Sequence, residues 1–204
     1  MAADSAERND PADGPGCLRP ALGLPQVVFL ATLVGLDFAF GWVAKPLVQG
    51  LGLSTFLHVE MIPAAMLLML ARLAVDRFGT LVAYQTAWAV VATIAMPAAV
   101  VPGPLKLIPF LLQGLVLDTV FSVGRRWPRG RVLAAAVLGG LAGSVCQGLL
   151  RLALGLPWAR ATQVYLGVQL LGSAAVHAAG AWLALRVWDR VRDQPAVQWL
   201  RTVR

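Results

Sequence analysis

Three stretches of this chain, Phe78 to Leu105, Val132 to Leu150 and Ala161 to Leu185, contain no Asp, Glu, Lys or Arg. The hydrocarbon core of a bilayer takes about 20 apolar residues per helix, and runs of this kind supply them. Composition points the same way. Of 204 residues, 58% are hydrophobic and only 13% charged, with a mean hydropathy of +0.72, which lies outside the range of soluble globular domains. A secreted disulfide scaffold, a nucleic-acid-binding domain and most soluble enzymes are excluded on these grounds. The net charge of +7 calls for a membrane explanation, because the arginines cluster at the ends of apolar runs and form no continuous basic patch. Cys17 and Cys146 are the two cysteines. One lies in the amino-terminal tail and the other mid-helix, so there is no disulfide framework and no metal-ligand spacing.

Hydropathy and chain breakers together predict an all-α membrane protein, a bundle of six transmembrane helices. The spans fall near Gln26 to Ala44, Leu57 to Val75, Phe78 to Met96, Leu105 to Val123, Val132 to Leu154 and Gln163 to Trp188. Lys45-Pro46 with Gly50 and Gly52, the Pro97/Pro102/Gly103/Pro104 cluster, Trp127-Pro128-Arg129-Gly130 and Gly155-Leu156-Pro157 mark the connections. The second span is the least regular, with His58 and Glu60 at its start and Arg72 and Asp76 at its end. Residues 1–25 carry Asp4, Glu7, Asp10 and Asp13 among prolines and few apolar side chains. That composition predicts a disordered tail, and the missing basic start argues against a secretory signal peptide. Residues 26–190 form the membrane domain and 191–204 a basic tail.

Basic residues set the orientation. With the amino terminus cytoplasmic, the tail, the 72–79 turn, the 124–131 loop and the carboxy-terminal segment hold thirteen Lys or Arg, against four outside: Lys45, Lys106, Arg151 and Arg160. Both termini are therefore expected in the cytoplasm, in a multi-pass protein of the cell membrane, such as a bacterial inner membrane.

So oriented, the polar side chains are unevenly spread with depth. Trp42, Lys45, His58, Glu60, Lys106, Gln147, Arg151, Trp158, Arg160, Gln163 and Gln169 all fall in the outer half or outer loops. Charges within spans cost roughly 2.5 to 3.5 kcal/mol each, so they usually face a cavity or a partner. His58 and Glu60 open the second span, where they can pair with Lys106 or Lys45 across a vestibule. The competing interpretation is that such residues snorkel into headgroups; as a group they favour a site. Deeper, Asp37 and His177 lie well inside the first and sixth spans, and Gln113 and Asp118 share the fourth. A lone intramembrane His is commonly a packing residue, an Asp more often functional. Asp118 lies nearer the cytoplasmic end, where Arg125 or Arg126 can neutralise it in a structural role.

Small residues recur at helix-packing intervals: Ala31, Gly35 and Ala39 on the first helix, Ala135, Gly139 and Gly143 on the fifth, Gly172, Val176 and Gly180 on the sixth. Packing inside the bundle accounts for the last two; the first can dock a separate subunit. A catalytic reading finds little footing. His177-Ala178-Ala179-Gly180 and Thr55-Phe56-Leu57-His58 superficially resemble parts of rhomboid-type serine proteases, but the Gly-x-Ser-Gly nucleophile motif is absent, and Ser144 sits on the helix immediately before His177. There is no His-Glu-x-x-His and no phosphate-binding glycine loop. The chain is expected to be no enzyme, to hold no cofactor or metal, and to be unable to power uphill transport alone.

The run Leu111-Leu112-Gln113-Gly114-Leu115-Val116-Leu117-Asp118-Thr119-Val120-Phe121, followed by Arg125-Arg126-Trp127, is similar to the Gln-Gly-x-x-x-acid-x-x-Phe stretch of S components, the substrate-binding membrane subunits of energy-coupling factor (ECF) vitamin transporters. The nearest are those for thiamine or its hydroxymethylpyrimidine precursor. Lys45-Pro46-Leu47-Val48, Gly172-Ser173 and Ala181-Trp182-Leu183-Ala184 also look like that family, and the layout extends over residues 26–190. The resemblance implies six helices, cytoplasmic termini, and capture of a water-soluble vitamin or precursor from outside. Delivery follows on docking with a transmembrane coupling subunit and two ATPases. It implies docking through Ala31, Gly35 and Ala39, and binding through Trp42, Lys45, Gln113, Gln147, Arg151, Trp158 and Gln169; His58 and Glu60 join these by depth. A membrane scaffold whose polar half contacts another protein is the alternative, and an intramembrane enzyme using Glu60 and His58 the third. Glu60 with tryptophans suits a cationic ligand, whereas Lys45, Lys106, Arg151 and Arg160 suit an anionic one.

Overall fold

The computed structural model describes residues 22–50, 58–95, 101, 103–123, 128–155, 157–160 and 167–202. Among these the chain is all helical: α1 (Leu24–Gly50), α2 (Ile62–Val75), α3 (Thr80–Ala95), α4 (Leu107–Val123), α5 (Pro128–Ala153), the single turn α6 (Trp158–Arg160), α7 (Gln169–Val191) and α8 (Pro195–Thr202). Short 3-10 turns, Val59–Met61 and Gly103–Lys106, lead into α2 and α4. Each of the six predicted spans overlaps one α-helix of at least fourteen residues. The expected tail lies almost wholly outside the described residues, which begin at Leu22.

Among the described residues, four helices are long and apolar enough to cross a membrane: Leu24–Val48, Gly103–Val123, Arg129–Ala153 and Gln169–Val191. The remaining two are shorter than predicted. α2 begins only at Ile62, with Pro63 in its first turn, where a missing N–H costs nothing. It stops at Asp76, whose left-handed backbone (φ 43°) ends the helical run. Fourteen residues reach about 21 Å. Two expected breakers do not break. α1 passes through Lys45-Pro46 to Gly50, and Pro128 opens α5 instead of closing a loop, since its fixed φ suits a first helical position. The basic tail is also more structured than expected, because residues Pro195–Thr202 form α8.

The helices close into a ring in the order α1, α2, α7, α5, α4, α3 and back to α1, with α2 also against α3. α2 has the most neighbours and nine of its residues are buried. α1 is the opposite case. Gln26, Leu30, Leu33, Val34 and Asp37 are buried along one face, while Val27, Val28, Leu36, Phe40 and Val43 stand exposed. The stripes on α5 and α7 lie inside, as expected: a Cβ on Gly180 meets the Ala65 Cβ at 2.5 Å and the Met66 backbone at 2.9 Å, and one on Gly139 runs into Leu117. The α1 stripe faces outward. Ala31, Gly35 and Ala39 are exposed, and nothing lies within 4 Å of a Cβ placed on Gly35.

Both described ends of the chain meet at one end of the bundle. Gln26, fully buried, donates from Nε2 to the Leu200 carbonyl at 3.2 Å, seating α8 against the start of α1. Close by in the fold, α4 is locked to α3 and α2. At Gly114 the two helices approach so closely that a Cβ would stand 2.9 Å from the Leu81 carbonyl oxygen. One turn on, Asp118 accepts from the Leu81 and Val82 amides at 3.0 and 3.1 Å, satisfying two of the donors orphaned at the start of α3. Its other oxygen lies 3.1 Å from Arg72 Nε. Arg72 also bonds Asp76 at 2.9 Å, and its guanidinium stands 4.6 Å from the Phe121 ring centre. Asp118 is thus structural as expected, but its partner is Arg72 on α2; Arg125 and Arg126 fall outside the described residues.

Candidate functional site

A cavity of about 440 Å³ opens in the half of the bundle away from α8. All six long helices line it: α1, α3 and α5 with residues from their middle or later turns, α2, α4 and α7 with residues from their first turns. Alternating chain direction brings those particular turns to one end. The volume suits a small organic solute, for which sites run from about 300 to 1,000 Å³.

Its lining is polar on an aromatic and aliphatic background. His58 and Glu60 reach it from the 3-10 turn before α2, their side chains paired at 3.1 Å between Nδ1 and Oε1. Glu60 is 8% exposed at the side chain and His58 58%, so the carboxylate lies inward and the imidazole toward the rim. From α1, Asp37 accepts from the Tyr84 hydroxyl at 3.0 Å. Trp88 of α3 and Phe110 of α4 pack at 4.8 Å between ring centres, inclined 47°. On the opposite side of the ring order, Gln147 and Arg151 of α5 and Gln169 of α7 line the same space, and Gln169 reaches Gln147 at 3.5 Å.

Gln113 and His177 connect the two sides. His177 Nδ1 lies 2.8 Å from the Ser173 carbonyl, which fixes it as the donor. Nε2 is left to accept from Gln113 Nε2 at 3.0 Å, an assignment that follows from the network. Two glycines make room for them. A Cβ at Gly140 would lie 2.5 Å from His177 Nδ1, and one at Gly143 2.9 Å from Gln113 Oε1.

Of the residues expected from sequence, His58, Glu60, Gln113, Gln147, Arg151 and Gln169 come together here. Trp42 and Trp158 do not: they are 58% and 68% exposed and lie outside the lining. The Lys45 side chain, like that of Arg160, lies outside the described residues. Lys106 turns away, buried with Nζ donating to the Ala92 carbonyl at 3.2 Å, so it does not pair with Glu60. Sequence reasoning had flagged Asp37 and His177 by depth without assigning them to the site. It missed Tyr84, Gln85, Trp88 and Ser173. The first three sit at i, i+1 and i+4 within a charge-free run, which puts them on one face of a helix.

The fold and cavity thus define an all-helical protein with several helices fit for a membrane and a polar chamber at one end. Comparison with protein-family models, with curated proteins and with solved structures finds no match.

Proposed function

We propose that this chain is a solute-binding membrane subunit, an S component of an ECF-type importer. In this reading all six helices of the ring embed in the cell membrane with both termini cytoplasmic, the shorter α2 and α3 taking their places between the four long ones. The observation that carries it is the cavity, because its position follows from the charge count. The cavity lies at the end remote from α8, and the positive-inside rule assigns the α8 end to the cytoplasm. The chamber is then outward-facing, as capture of an external solute requires. Binding is the role its amides, carboxylates and aromatics support.

The outer face of α1 supports the second half of the reading. Ala31, Gly35 and Ala39 form a flat strip left exposed by the described residues, on which the backbone of another helix can approach closely. Asp37 sits on the opposite face, buried against Tyr84, so the strip carries no charge toward a membrane partner. This is where a transmembrane coupling subunit, carrying the ATPases, would dock.

The decisive experiment is native mass spectrometry of protein purified from a rich medium. The expected result is a co-purifying molecule of vitamin or vitamin-precursor size, lost when Gly140 is replaced by Leu to fill the chamber. A protein that stays empty through a panel of vitamins and precursors, yet captures a membrane partner, is the outcome a scaffold gives and ends the transport reading.

A further inference from the structure

We infer that the last turns of α7 and the helix α8 form a binding surface for the headgroups of anionic phospholipids. The inference rests on reading the chain as membrane-embedded with its α8 end in the cytoplasm, and it concerns the end of the bundle opposite the chamber. α7 has 23 residues and so extends about 34 Å, more than the hydrocarbon thickness of about 30 Å. The excess falls where the charges are, because a bilayer core excludes them. Arg186 and Arg190 therefore stand at headgroup depth.

Their charge is not used up within the protein. Residues 186–202 hold Arg186, Arg190, Arg192 and Arg201 against Asp189 and Asp193. Both aspartates are taken: Asp189 pairs with Arg129 of α5 at 3.4 Å and Asp193 with Arg192 at 3.6 Å. Among the described residues, Arg186, Arg190 and Arg201 have no carboxylate within ion-pair distance. Two of the three lie over indole rings instead, Arg186 at 5.1 Å from the Trp182 ring centre and Arg201 at 5.1 Å from that of Trp188. A guanidinium laid on a ring keeps the N–H fork at its edge, and that fork matches the oxygens of a phosphate.

The aromatic residues set the level at which this charge is offered. Trp182, Arg186 and Arg190 follow at intervals of four along one exposed face of α7. Trp182 is 51% exposed and Trp199 of α8 56%. Indoles left open in this way settle at a membrane–water interface. α8 holds Trp199 and Arg201 there from a fixed seat, since Leu200 is buried and its carbonyl accepts from Gln26. Exposed arginines beside exposed indoles suit a negatively charged headgroup, and the cytoplasmic leaflet is where anionic lipid attracts basic segments. The surface is open, so a phosphate stays within reach when acyl chains hold it in the bilayer, whereas a free anion is lost to water.

The test titrates phosphatidylglycerol and phosphatidylcholine of identical chains into the full-length protein in mild nonionic detergent and counts bound lipid by native mass spectrometry. Phosphatidylglycerol should bind at least roughly tenfold more tightly. The double substitution Arg186→Gln with Arg201→Gln should bring the two lipids within about twofold of each other at an unchanged melting temperature. Should that variant not fold, Arg190→Gln should lower the preference about threefold. Lys45→Gln with Arg160→Gln removes the same charge elsewhere and should leave the preference intact. Equal binding of the two lipids overturns the inference, as does a preference that survives the double substitution or is lost in the control. Displacement by millimolar inorganic phosphate would make this a site for a free anion and overturn the lipid assignment. Binding of neither lipid also overturns it; entry of that protein into bilayer discs would keep the membrane reading, and exclusion from them would remove both. A protein that captures no vitamin yet prefers phosphatidylglycerol loses the transport role and keeps this surface.

Discussion

Asp118 shows how much one side chain can hold in an apolar chain. With no exposure it caps the amino terminus of α3 through two backbone amides and meets Arg72 of α2. A buried pair adds little over an apolar replacement, but removing one partner strands the other charge, at a cost of about 3 to 5 kcal/mol. Arg72→Leu and Asp118→Leu should therefore each lower the thermal unfolding temperature in detergent sharply, and the double variant should cost less than the sum. Strict additivity would mean that the two side chains act independently. A different outcome is expected at Gly140, where Ala would press on His177. Overpacking of this kind costs about 1 to 3 kcal/mol, so the protein should stay folded while His177 and its bond to Gln113 shift. Isothermal titration with the co-purified solute should show weaker binding; unchanged affinity would place His177 outside the contact surface. Both charges of the Arg72–Asp118 pair were visible in the sequence. Their partnership was not, because 46 positions separate them and only the α2–α4 geometry closes the gap.

Among the elements, α1 and α7 carry similar small-residue stripes and use them differently. Gly180 on α7 is wedged against Ala65 and the α2 backbone, so Gly180→Leu should destabilise the bundle, seen as a lower melting temperature. A Cβ placed on Gly35 of α1 has no atom of the described residues within 4 Å, so Gly35→Leu points into open space. It should leave melting and solute binding intact and impair co-purification with a coupling subunit; assembly that survives it would move the docking face elsewhere. Spacing alone cannot separate these cases, since both stripes read small-xxx-small or close to it. Helix ends were less legible than helix existence. Pro128 and Pro46 both suggested a break, yet one starts a helix and the other sits inside one. Proline's effect depends on whether its missing N–H had a partner to lose. Residues 191–204 read as a basic tail by their arginines, whereas α8 within them is stabilised by seating Leu200 against α1 and α2.

For the molecule as a whole, orientation is the property on which the transport reading depends. Reporter fusions or cysteine labelling should place both the amino terminus and α8 in the cytoplasm and His58 at the outer surface; the reverse would turn the chamber inward and remove its role in capture. The charge-free runs determined by themselves that this is a helical chain with helices apolar enough to cross a membrane. Burying unpaired backbone in hydrocarbon leaves helices as the economical solution, and that constraint is local enough to be written in each segment. The distribution of arginine sets the expected orientation in the same local way. What only the tertiary structure decided is which polar residues share a space. Asp37, Tyr84, Glu60, Trp88, Gln147 and His177 lie on four different helices and the 3-10 turn before α2, and they converge because helices of alternating direction bring the middle turns of α1 and α3 and the later turns of α5 beside the first turns of α2, α4 and α7. The same packing sent Lys106, Trp42 and Trp158 away from the chamber. Depth along a helix can be read from hydropathy, but the facing direction within a ring of six depends on every neighbour at once.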